Sequence, residues 1–279
     1  MPDSQEPPVG MISGNGIYPA TFARAARRAG ADRIVAAAFH NETDPVLEDL
    51  VDSLSWFRVG QLNKMIKFFK KEGIDRAVMV GQIAPKNLYE FRPDVRTAVM
   101  IAKLKERNAE SLFGGIASEL EKDGIQLLSA TTYLDDLLPA AGHVAGPKLS
   151  DKRRGDVDFG MGIAKETSRL DIGQTVVVKS GTVLAVEAFE GTNEAIARGG
   201  KLGRGNATMV KVSKPNQDFR FDVPVVGPET IHTAAAAGID LIVVEANCTL
   251  LLGGDDEIAS LCREHKITLW AANPVNESA

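Results

Sequence analysis

The residues best suited to chemistry crowd one stretch, Lys214-Pro215-Asn216-Gln217-Asp218-Phe219-Arg220-Phe221-Asp222-Val223-Pro224. Two acids, two bases and two amides are interleaved there with two phenylalanines and two prolines. Upstream, Gln174, Lys179, Glu187, Glu190 and Thr192 stand at the edges of apolar runs, and Lys211 closes another. Gathered carboxylates can hold Mg²⁺, a hard cation that takes oxygen ligands and keeps several waters. A carboxylate beside such a metal can instead aim a water in line at phosphorus. Lys179, Lys211, Lys214 and Arg220 suit a diphosphate, lysine as a point charge and arginine as a planar fork. The plainer account is that these acids and bases pair as surface salt bridges. Glu187 is balanced between the two, since it can simply point outward from a strand. For Asp222, wedged between Phe221 and Val223-Pro224, chemistry is the better account.

Something must hold these groups still. Pro215 and Pro224 deny the stretch a helix, so it reads as an ordered, extended loop. Thr175–Lys179 and Thr182–Ala188 are β-rich runs that join as a hairpin across Ser180-Gly181. Thr192 can cap a short helix through Arg198. Further on come a strand at Thr208–Val212, a helix at Pro228–Ala237 and a strand at Asp240–Glu245. A helix from Asp255 to His265 and a strand at Ile267–Ala271 complete this half. Earlier, a strand at Val9–Ile12 turns through Ser13-Gly14-Asn15-Gly16 into a helix with Pro19 in its first turn. Such a glycine turn can bring backbone N–H groups onto a phosphate, although a plain tight turn reads equally well. Strands at Arg33–Phe39, Arg76–Val80 and Ile125–Ala130 alternate with helices at Gly60–Lys71 and Pro93–Lys122, the latter interrupted near Gly114-Gly115. Alternation of this kind makes a parallel, helix-covered sheet of Rossmann type.

The expected organisation is therefore α/β. It comprises a Rossmann-like nucleotide-side domain over 9–138, a linker over 139–162 rich in glycine, proline and charge, and a catalytic α/β domain over 163–275. Gln61 and Gln82, each beside a glycine, are placed to read a nucleobase edge through their amides. Among the histidines only His232, near the polar cluster, merits attention, and no Ser-His-Asp order, nucleophile elbow or Walker motif occurs. The basic segment Lys64–Lys71 reads better as a packed helix with a solvated lysine face than as a membrane contact.

With 44% hydrophobic and 25% charged residues among 279, the composition is that of an ordinary globular protein. A net charge of −5 argues against nucleic acid, which asks for a basic face, and leaves anionic lipid to local basic clusters. Cys248 and Cys262 make neither a disulfide framework nor a metal spacing, which suits a reducing cytoplasm. No signal pattern opens the sequence, and no apolar run is long enough to span a bilayer.

Several runs resemble the LpxI family, the UDP-2,3-diacylglucosamine pyrophosphatases of lipid A synthesis. They are Gln174–Lys179, Val186-Glu187-Ala188-Phe189-Glu190-Gly191-Thr192, Lys211–Asp222 and Gly227-Pro228-Glu229-Thr230-Ile231. Ser13-Gly14-Asn15-Gly16, Gly60-Gln61-Leu62 and Gly81-Gln82-Ile83 extend the likeness over the first half. One departure is Asn193, where the family's turn is expected to read Glu-Gly-Thr-Asp. A metal role for that Asp would fall here to Glu190 or Asp222. The resemblance implies a Mg²⁺-dependent hydrolase, with Mn²⁺ as a substitute, that cleaves UDP-2,3-diacylglucosamine to UMP and 2,3-diacylglucosamine 1-phosphate. It implies Asp222 for water activation or metal, Glu190 for metal, and Lys179, Lys211 and Gln174 for the phosphates. Thr192, Lys214, Gln217, Asp218 and Arg220 would contact substrate, and Gly14, Asn15, Gly16, Gln61, Gly81 and Gln82 the nucleotide side. The partners implied are a lipid-linked nucleotide sugar and, transiently, the cytoplasmic face of the inner membrane, with room for a homodimer. The rival readings are a nucleotide-sugar-binding oxidoreductase or transferase, and a non-catalytic nucleotide or lipid sensor.

Overall fold

The computed structural model describes residues 6–83, 93–106 and 109–274. The chain divides into two units: residues through Leu134 with Asp218–Asp222, and Asp135–Gln217 with the remainder from Val223.

The first unit contains β1 (Val9–Ser13), α1 (Tyr18–Arg28), β2 (Ile34–Phe39), β3 (Ser53–Phe57), α2 (Leu62–Lys71), β4 (Arg76–Val80), α3 (Val95–Lys103), α4 (Ala109–Lys122) and β5 (Gln126–Leu127). Its five strands are all parallel, in the order β3-β2-β1-β4-β5. Unbroken apolar runs such as Ile34–Phe39 suit this arrangement, because a helix-covered parallel sheet buries both faces of its strands. α2 turns Leu62, Met65, Ile66 and Phe69 inward, onto a core shared with Met100 and Leu120. Its lysines thus lie on the outer face, with Lys70 paired to Asp123 at 2.9 Å. The helix expected over 93–122 is two helices. The first ends at Leu104, whose backbone is extended. Gly115 instead serves contact: a Cβ there would stand 3.2 Å from Met100 Sδ.

Asp218–Asp222 completes this unit from far along the chain. Ala130 N–H donates to Phe219 O at 2.7 Å, and the Phe221 ring stacks on Phe113 with centroids 5.6 Å apart.

The second unit contains β6 (Gly142–Ala145), α5 (Asp151–Arg169), β7 (Thr175–Lys179), β8 (Thr182–Val186), α6 (Thr192–Gly203) and β9 (Ala207–Lys211). There follow β10 (Val225–Val226), α7 (Pro228–Ala236), β11 (Ile239–Glu245), β12 (Leu250–Leu251), α8 (Asp255–Glu264) and β13 (Thr268–Ala272). The main sheet has the order β6-β13-β11-β9-β7-β8. Its centre is parallel, while β6 and the β7–β8 hairpin are antiparallel. Ser180 and Gly181 both take positive φ, 49° and 72°, as a two-residue turn between right-twisted strands requires.

The expectation of a linker over 139–162 is corrected here: the segment is β6 and most of α5, inside the second unit. Two of its glycines, Gly146 and Gly160, serve close contact. A Cβ on Gly160 would lie 2.5 Å from Val210 Cγ2, so glycine is what lets α5 press onto the sheet.

Candidate active site

Strands β9, β11 and β13 run parallel, so their carboxyl ends share one edge of the sheet. Open α/β sheets bind ligands at that edge. β7 runs the other way and begins there, with Thr175 opposite Lys211. Glu187, just past β8, donates its N–H to Thr175 O at 2.8 Å. Directly opposed residues share a face of the pleat, so Glu187, Thr175 and Lys211 form one row across three strands.

α6 starts beside that row. Its first residue, Thr192, does not cap the helix. The hydroxyl instead accepts from Lys211 Nζ at 2.9 Å and donates to Glu187 Oε1 at 2.7 Å. Lys211 and Glu187 are 7% and 9% exposed, and a hydroxyl linking their charges keeps the buried cluster neutral. Glu187 Oε2, Thr175 Oγ1 and Gln174 Oε1 are buried with no hydrogen-bond partner among the described residues. Buried polar atoms are rarely left so, and three of them gather along this edge.

The opposite face of the same edge carries a network that sequence reasoning missed. Glu245, the last residue of β11 and 2% exposed, accepts from Ser213 N and Oγ at 2.7 Å each. Lys165 Nζ reaches the same carboxylate at 2.7 Å. These bonds fix where the chain leaves β9 on its way to Lys214. The sequence signal was slight: one acid ending the apolar run Ile239–Glu245. Burial, then the Glu245 charge, pushes the neighbouring Cys248 thiol pKa up. Lys214 Nζ pairs with Asp171 at 2.5 Å, and its N–H donates to Gln217 Oε1.

Asp218, Arg220 and Asp222 lie in the first unit. The Arg220 fork grips Asp218, Nη2 to Oδ2 at 2.8 Å, and that hydrogen bond holds the Asp218 pKa below the usual carboxylate range. Asp222 is half-buried, with its N–H donating to Asp218 O at 3.0 Å. Also in this unit, β1 and β4 are neighbours where the strand order reverses, the usual crevice of a doubly wound sheet. Gly14-Asn15-Gly16 leaves β1 and Gly81-Gln82 leaves β4. Asn15 N–H donates to Gln82 O at 2.7 Å. A Cβ on Gly14 would stand 2.3 Å from Gln82 O, and one on Gly81 2.6 Å from Asn15 O. Both glycines are thus dictated by the meeting of two turns. Asn15 Nδ2 donates to Glu42 at 2.7 Å. Gln61 immediately precedes α2 and accepts from Arg58 N–H at 3.1 Å, so its side-chain oxygen serves the local turn.

Two expected members stand apart from the row. Lys179 is at the far end of β7, five residues or roughly 16 Å from Gln174. Its ammonium donates to Gly203 O and Gly205 O at 2.6 and 2.7 Å, which ties down the end of α6. The structure thus places Lys179 away from Gln174, holding the end of α6. Glu190 is exposed on the turn before α6, paired with Arg198 at 2.5 Å, and that hydrogen bond lowers its pKa. His232 packs edge-on against His265, centroids 5.3 Å apart. Asn193 donates to Glu229 at 2.9 Å, joining α6 to α7.

Among the described residues no three His, Cys, Asp or Glu side chains gather as a cation cage would need. Asp222 and Glu190, the acids expected to hold metal, belong to different units. A Mg²⁺ held mainly by substrate phosphates needs only one or two protein carboxylates.

Two family models cover nearly the whole chain: LpxI N-terminal domain over residues 8–137 and LpxI C-terminal domain over 140–270. The chain belongs to the LpxI family. A Caulobacter vibrioides relative, UDP-2,3-diacylglucosamine pyrophosphatase LpxI, is 29% identical over 263 residues, spanning 90% of this chain and 93% of its own. Among solved structures, the biotin carboxylase domain of Hydrogenobacter thermophilus 2-oxoglutarate carboxylase matches 62% of this chain and 35% of its own. At 16% identity and a TM-score of 0.27, that likeness is too slight to bear on the LpxI assignment. The family boundary near residue 138 falls close to the chain's first crossing between units, after Leu134.

Proposed function

We propose that this protein hydrolyses the diphosphate of UDP-2,3-diacylglucosamine, yielding UMP and 2,3-diacylglucosamine 1-phosphate for lipid A synthesis. The observation that carries this reading is the match of both family domains along the chain, together with a named relative aligned over 93% of its own length. The buried row of Glu187, Thr175 and Lys211 beside the start of α6 suits a polar, anionic ligand. Lys211 and Gln174 take phosphoryl oxygens, and the turns at Gly14–Gly16 and Gly81-Gln82 serve the nucleotide. Asp222 orients a water and accepts its proton as the oxygen attacks the phosphorus bearing the sugar. The bond from that phosphorus to the bridging oxygen breaks, and UMP leaves. Bound with the substrate, a Mg²⁺ would supply charge neutralisation at the phosphoryl oxygens. Because the substrate is a lipid, the reaction belongs at the cytoplasmic face of the inner membrane. The test is direct: purified protein with UDP-2,3-diacylglucosamine should release UMP and the sugar phosphate in equal amounts. EDTA should stop the release and Mg²⁺ restore it. No UMP under any metal condition would refute the activity, and full turnover in EDTA would refute the metal.

A further inference from the structure

Large apolar side chains left fully in water are informative when they cluster, because scattered ones are ordinary. Phe189 is 102% exposed, Leu170 58% and Ile172 47%. All three belong to the second unit, on two turns that are far apart in sequence. The backbone brings these turns together. Gly173 lies so close to Glu187 that a Cβ there would stand 2.1 Å from Glu187 O. Ile172 is one residue from that crossing and Phe189 two. The next residue along, Gln174, and Glu187 itself belong to the candidate site. The apolar group therefore stands at the rim of the polar row.

Three ion pairs flank it. Lys214 pairs with Asp171, Arg198 with Glu190, and Arg169 with Glu166, at 2.5, 2.5 and 2.8 Å. A rim whose formal charges cancel pairwise gives little electrostatic pull on an acidic or basic partner. What it offers is bare hydrocarbon, including one aromatic ring of the kind that settles at a membrane interface. No described helix is long and apolar enough to cross a membrane, so shallow insertion is the mode this surface permits.

We propose that Phe189, Leu170 and Ile172 form a docking rim that dips into the bilayer surface and brings the site's mouth to a membrane-borne lipid. The proposal rests on the reading of a lipid-linked substrate, and it makes docking apolar, not electrostatic. The test is co-sedimentation with phosphatidylcholine vesicles of the wild-type chain and of the triple variant Phe189→Ser, Leu170→Ser, Ile172→Ser. All three side chains are solvent-facing, and an unchanged melt checks that the variant folds. The variant should lose at least tenfold in vesicle partitioning. Neither added anionic lipid nor raised salt should change wild-type binding by more than about twofold. Turnover of vesicle-borne substrate should fall in parallel, while turnover of detergent-dispersed substrate stays at the wild-type rate. Equal sedimentation of variant and wild type would overturn the rim, and so would wild-type binding only to anionic vesicles. A wild-type chain inactive on both substrate forms would sink the pyrophosphatase reading, while sedimentation would still judge the rim.

Discussion

At the scale of single residues, position within a strand separates chemistry from structure. Lys179 and Lys211 read alike in the sequence, yet they sit at opposite edges of the second unit's sheet. Lys211 joins Glu187 through Thr192, while Lys179 holds two carbonyls at the end of α6. The expected contrast follows. Asp222→Ala should lower kcat by about 10²–10⁴-fold, the usual loss for a general base. Substrate affinity and melting temperature should stay close to wild type, because the interaction is made mainly in the transition state. Lys179→Ala should do the reverse. It leaves two partly buried carbonyls unpaired, costing about 1–3 kcal/mol of stability, with kcat unchanged in the protein that remains folded. Steady-state kinetics beside thermal melts read both. Near-normal turnover in the Asp222 variant would end its role, and a large kcat loss for Lys179→Ala would return it to the site.

Between residue and fold, the elements are held at working distance by small side chains. α6 lies on the sheet through Gly199, where a Cβ would fall 2.5–2.8 Å from three atoms of Val177. The next residue, Gly200, faces Ala237 O, which a Cβ would approach to 2.2 Å. α6 also carries Thr192, so its seating sets where the hydroxyl meets Lys211 and Glu187. Gly199→Ala is therefore expected to destabilise by about 1–3 kcal/mol through overpacking. This runs against intrinsic propensity, since alanine favours a helix over glycine by about 1 kcal/mol. Denaturant unfolding decides it, and a more stable variant would show that the helix can shift without cost.

At the scale of the whole molecule, the chain crosses between its units after Leu134 and again on either side of Asp218–Asp222. The polar stretch 214–224 is thereby shared: Lys214 and Gln217 stay with the second unit, while Asp218, Arg220 and Asp222 belong to the first. For the proposed hydrolysis, the phosphorus that water attacks is the informative measurement. Hydrolysis in ¹⁸O-water should place the label in the sugar phosphate and leave UMP unlabelled. Label in UMP would mean attack on the nucleotide's phosphorus and would require a different acid beside it.

The sequence by itself determined the local structure. Apolar runs and glycine stops located most strands and helices, because burial and backbone sterics act over a few residues; β3, β6, β10, β12 and α5 were not among them. Its runs also identified the family, and its elements an α/β chain in two parts. What it left open depended on contacts between distant residues. Gly160 read as part of a linker because its neighbours, Val178 and Val210, lie elsewhere in the chain. Lys179 stood with Gln174 among the expected phosphate ligands, and the folded strand sets the two roughly 16 Å apart. Lys165, Ser213 and Glu245 escaped notice because three ordinary residues become a network only when α5, β9 and β11 bring them to one sheet edge. Asp222 stood out in the sequence as a polar residue among aromatics and prolines. That it belongs with the first unit was decided by tertiary pairing, through Phe219 O on Ala130 and Phe221 on Phe113, since only the folded chain brings those partners within bonding distance.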